Sequence, residues 1–78
     1  MIMNGTGIVI KYVGAECPIF IKMDGDKVAT MANRFLLCAV VDKQQIIPIE
    51  TEKDVWFINL EHVEYVRFIH NQEEKANV

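Results

Sequence analysis

The sequence predicts an α+β fold that is mostly β, a small antiparallel sheet, curled or closed into a barrel, with one short helix. Three observations predict it. Segments rich in β-branched and aromatic residues recur along the chain, turn residues punctuate them at short intervals, and one stretch has apolar residues at spacings of three and four. At 78 residues the chain encloses a single core. We assign that domain to residues 1–70 and read 71–78 as a disordered polar tail.

The first two strands are Thr6 to Val13 and Glu16 to Met23, with Gly14-Ala15 suited to a two-residue type II′ turn. In that register Ile8, Ile10 and Tyr12 stand opposite Ile21, Ile19 and Cys17, and Lys11 and Lys22 fall on the other face. Asp24-Gly25 follows and is itself a hairpin signal, so Asp26 to Met31 can be read as a third strand. The preferred reading is a helix over Lys27 to Cys38, because Val28, Met31, Ala32, Phe35 and Ala39 form a helical stripe and Asp26 suits the N-cap. Whether 26–38 is helix or strand stays open at this level, as does the role of Leu37 to Val41.

Gln45 to Thr51 reads as a strand whose Pro48 has no N–H to give a neighbour, which places it at a sheet edge or a bulge. Asp54 to Asn59 and Val63 to Ile69 read as a second hairpin, joined through Leu60, Glu61 and His62. The last three strands would then form an antiparallel meander. Apolar residues lie on both sides of them: Val55 and Phe57 alternate with Trp56 and Ile58, and Val63, Tyr65 and Ile69 with Val66 and Phe68.

A chain of this length usually needs a disulfide, a metal, a partner subunit or very well packed elements to be stable. Cys17 and Cys38 are too few for a disulfide framework and read as reduced, core-packed thiols. The two-sided strands point instead to a homo-oligomer, with a further protein partner as the other use of the same surface. The candidate interface comprises Ile47, Pro48, Ile49, Trp56, Phe57, Tyr65 and Phe68. The alternative is a closed monomeric barrel, which hides its own strand edges.

Catalytic and metal readings find little here. The chain has no serine, no Gly-rich phosphate loop, and no Cys-x-x-Cys or His-x-x-x-His pair. A metal- or thiol-dependent site would have to draw on Cys17, Cys38, His62 and His70, and Asp24-Gly25-Asp26 is too short for a calcium loop. We expect no catalytic residue, no metal and no cofactor. A net charge of −3 argues against nucleic acid as the main partner. An aromatic platform of Trp56, Phe57, Tyr65 or Phe68 beside Lys11, Lys22 and Arg67 is the form such binding would take. With no signal-like start and no apolar run near 20 residues, the expected location is the cytoplasm, without membrane contact.

Asn33-Arg-Phe-Leu-Leu, then Ile46-Ile-Pro-Ile, then Trp56-Phe-Ile-Asn-Leu-Glu-His-Val-Glu-Tyr-Val resembles small bacterial proteins of unknown function that share an Ile-Asn-x-x-His-Val pattern. The same C-terminal segment is similar to the last two strands of Sm-like RNA-binding proteins, where a very short turn separates strands that pair between ring subunits. That resemblance implies an SH3- or Sm-like barrel, ring-forming assembly and single-stranded RNA as ligand. The chain departs from the pattern in three respects: its helix follows two strands, its charge is acidic, and no Arg-Gly follows Tyr65-Val66-Arg67.

Overall fold

Residues 5–70 are described by a computed structural model, and the tail expected at 71–78 lies outside the described residues. Among the described residues five strands form two antiparallel sheets accompanied by one α-helix, a mostly β, α+β arrangement whose sheets do not close into a barrel. The first sheet has the order β2-β1-β5, with β1 at Gly7–Tyr12, β2 at Ile19–Lys22 and β5 at Val63–Ile69. The second pairs β3 at Ile46–Glu50 with β4 at Val55–Asn59.

The β1–β2 register is the expected one, Ile8 opposite Ile21 and Ile10 opposite Ile19. The turn differs. Ala15 N–H donates to the Tyr12 carbonyl at 3.1 Å, and Gly14, at φ +86°, takes the third turn position, which requires a left-handed residue. Tyr12 and Cys17 do not pair. The end of β1 is committed to β5 instead: Tyr12 stands opposite Val63, and Val13 N–H donates to the His62 carbonyl at 2.9 Å.

The expected hairpin of 54–59 with 63–69, and with it the three-stranded meander, is corrected. β4 pairs with β3, and β5 pairs with β1. Leu60–His62 is a 3₁₀ turn, held by the Asn59 side chain accepting from Glu61 N–H at 3.0 Å, and it carries the chain from one sheet to the other. Each strand finds its apolar partners there, with Ile58 opposite Ile47 and Phe68 opposite Ile8. The register of β1 with β5 shifts after Lys11, leaving Glu64 as an extra residue, and Lys11 Nζ lies 3.2 Å from Glu64 Oε1.

The helix reading holds over 26–38, with other ends. α1 spans Gly25–Leu36 with Asp24, not Asp26, as N-cap, and Leu37–Val41 continues it as a π-helical turn. Lys43, at φ 56°, ends it in the left-handed region, and Gln44 N–H bonds the Cys38 carbonyl at 2.8 Å. Val28 and Met31 are buried. The core is dominated by isoleucine, with Ile8, Ile10, Ile47, Ile49 and Ile58 essentially without solvent contact. Each contributes about 1.5–3 kcal/mol by leaving water.

Candidate interface on the second sheet

The alternation of β3 and β4 sorts their side chains into two sets. Ile47, Ile49, Trp56 and Ile58 turn toward the core, and Ile46, Pro48, Glu50, Val55, Phe57 and Asn59 form the outer face. On that outer face Phe57 is 70% exposed, Ile46 53% and Val55 47%. The end of the helical segment exposes Leu36, Leu37, Val40 and Val41, each by more than half, and Arg34 reaches to within 4.0 Å of Glu50 on the outer face of the ribbon.

The candidate interface residues therefore divide. Ile47 and Ile49 are 1% exposed and belong to the core, where their side chains meet no partner. Trp56 is half-buried against the core cluster, and Phe68 packs against the same cluster from β5. Pro48 and Phe57 stand opposite each other on the outer face of the β3–β4 ribbon. Tyr65 is exposed on a different surface, the outer face of the β2-β1-β5 sheet. Val40 and Val41 are surface apolar residues that no sequence pattern singles out. Pairing β4 with β3 instead of β5 is what decides which of two alternating sets faces out.

The main chain of the ribbon is equally asymmetric. Leu60 N–H bonds the Gln45 carbonyl at 2.9 Å and Thr51 N–H bonds the Asp54 carbonyl at 2.8 Å. Odd-numbered residues of β3 thus bond to even-numbered residues of β4. Pro48 lies in the other set, so its missing N–H falls on the outer edge of β3 and blunts it. On β4 the N–H groups of Val55, Phe57 and Asn59 point away from β3, and among the described residues no strand pairs with them. β4 carries no proline and no charged side chain to protect that edge.

Two other surfaces carry chemistry. On the outer face of the first sheet, Lys11, Lys22 and Arg67 share a side with Phe20 and Tyr65, exposed at 46% and 41%. A cleft of about 460 Å³ opens between β2, the start of α1 and the β3–β4 turn, where Phe20, Met23 and Trp56 meet Lys22, Lys27 and Lys53. Asp24, Glu52 and Asp54 also line it and balance the lysine charge. The turn is fixed by Thr51 Oγ1, which accepts from the N–H groups of Lys53 and Asp54, each at 3.0 Å, and donates to Asp54 Oδ1 at 2.7 Å.

Cys17 is exposed in the β1–β2 loop and Cys38 is half-buried, so the expectation of two core thiols is corrected. Departure of the chain from β1 after Tyr12 leaves Cys17 outside the ladder. Among the described residues no group of three or more His, Cys, Asp or Glu side chains is placed to hold a metal ion. Among them, too, no helix is long and apolar enough to cross a membrane. No family model, no curated protein and no solved structure matches this chain.

Proposed function

We propose that this protein is a non-catalytic assembly module that self-associates through the outer face of the β3–β4 ribbon. The observation that carries the reading is the exposure of Phe57, Ile46 and Val55 together on one face of a two-stranded sheet. A single domain of this size gains stability by covering such a face, and a second copy supplies the matching apolar surface. With Cys17 and Cys38 both unpaired, we assign the module to the reducing environment of the cytoplasm.

Replacing Phe57 with aspartate tests the reading, because its side chain stands away from the core. Phe57→Asp is expected to leave the circular dichroism spectrum unchanged and to lower the mass in solution to the 9.0 kDa of one chain. A variant that keeps the mass of the parent protein contradicts the proposal. Trp56, the anchor suggested by the sequence, is unsuitable for this test, since a charge there enters the core cluster.

A second reading is supported by the face that carries Phe20, Tyr65, Lys22 and Arg67. Exposed aromatic rings between cations suit stacked bases and phosphates of single-stranded RNA. Fluorescence anisotropy with a labelled oligonucleotide at low salt tests it. This reading predicts binding that weakens steeply with salt and is lost in Tyr65→Ala, and it falls if no binding is seen.

A further inference from the structure

We infer that the cleft between β2, the start of α1 and the β3–β4 turn binds a small zwitterion, a free amino acid with an aromatic side chain. The cleft is lined by Trp56, whose side chain lies on the side of the ribbon opposite Phe57. A ligand there leaves the outer face free, so its binding goes beyond the self-association proposed above.

Both walls of the cleft are fixed by hydrogen bonds. On one side Met23 N–H donates to the Thr6 carbonyl at 3.0 Å and Val28 N–H to the Asp24 carbonyl at 2.9 Å, which joins the end of β2 to the first turn of α1. On the other, the Thr51 hydroxyl ties the turn to Lys53 and Asp54. The volume of about 460 Å³ between them is that of a small-molecule site. Its apolar lining is Trp56 and Met23, which also pack against the core cluster, and the half-exposed ring of Phe20. Two aromatic rings and a thioether suit the face and edge of a third ring.

Charge identifies the rest of the ligand. Lys22, Lys27 and Lys53 share the cleft with Asp24 and Glu52, and among the described residues none of these five side chains makes an ion pair or a hydrogen bond. Asp54 differs, because its Oδ1 accepts from Thr51. Cations and anions that line one cleft without pairing with each other are both open to a ligand, and a ligand that meets both carries both signs. Lys27 is half-buried and gains most from a carboxylate. The main chain fits the same ligand. Phe20, Ile21 and Lys22 all line the cleft although their side chains alternate, so the edge of β2 borders it. The bond from Met23 to Thr6 makes Ile8 and Ile21 a hydrogen-bonded pair, which turns the N–H and C=O groups of Phe20 and Lys22 off that edge. Such donors suit an α-carboxylate, and such acceptors an α-ammonium group.

Trp56 is the one tryptophan of the chain, so its emission reads the cleft directly. Phenylalanine is expected to change that emission with saturation. N-acetylphenylalanine, which lacks the ammonium group, and phenylalanine amide, which lacks the carboxylate, are each expected to bind about tenfold more weakly. Glu52→Gln is expected to weaken phenylalanine by a similar factor and leave N-acetylphenylalanine unchanged, and Lys27→Gln to weaken phenylalanine and leave the amide unchanged, with circular dichroism confirming the fold of each variant. No saturable change with phenylalanine overturns the inference, and so does equal binding of the three compounds to the unsubstituted protein. Neither result alters the mass in solution, which tests self-association separately.

Discussion

The rings of Phe35 and Phe68 meet edge to face, with centroids 5.4 Å apart and planes inclined at 66°. This contact fastens α1 to β5 and explains why Phe68 is a packing residue and not a surface anchor. Phe68→Ala is expected to lower stability by about 2–4 kcal/mol, by lost burial and lost ring contact. Urea denaturation checks the loss, and sedimentation of the folded fraction is expected to show association unchanged.

Gly7 allows β1 and β2 to approach closely. A β-carbon on Gly7 would overlap the Ile21 carbonyl oxygen and lie 3.0 Å from the Lys22 α-carbon, and both obstacles are backbone. Gly7→Ala is therefore expected to destabilise by about 1–3 kcal/mol, whatever alanine gains in chain entropy. A melting temperature equal to that of the parent protein contradicts this account of the hairpin.

Lys43 adopts a left-handed conformation at the end of the helical segment without the freedom of glycine. Lys43→Gly is expected to stabilise by about 0.5–1 kcal/mol, which in a domain of this size raises Tm by roughly 2–8 °C. Calorimetry reads it directly.

The two thiols are expected to differ in the folded protein. Cys17, exposed in its loop, reacts with an alkylating reagent at the rate of an unfolded chain, and half-buried Cys38 reacts more slowly. Mass spectrometry of partly modified protein gives the order, and faster modification of Cys38 contradicts the placement of the β1–β2 loop.

What the sequence made legible was local. The pairing of Ile8 with Ile21, the helical stripe through Val28 and Met31, and the span of β5 all follow from side-chain period alone. Partner choice between strands did not. The connection at Leu60–His62 is as short as a hairpin loop, yet its 3₁₀ geometry sends β5 to β1, and no residue pattern in the strands distinguishes the two outcomes. Ile47 and Ile49 fall on the buried side of β3 for the same reason. Ile47 and Ile49 alternate with Ile46 and Pro48 in a strand apolar on both faces, so only the fold decides which set is hidden.

Sedimentation equilibrium of the unsubstituted protein over a wide concentration range tests the central claim most directly. Self-association through the outer face of the β3–β4 ribbon predicts a mass that rises with concentration above the 9.0 kDa of one chain. A mass of one chain at every concentration, with the outer face of the ribbon open to solvent, contradicts it.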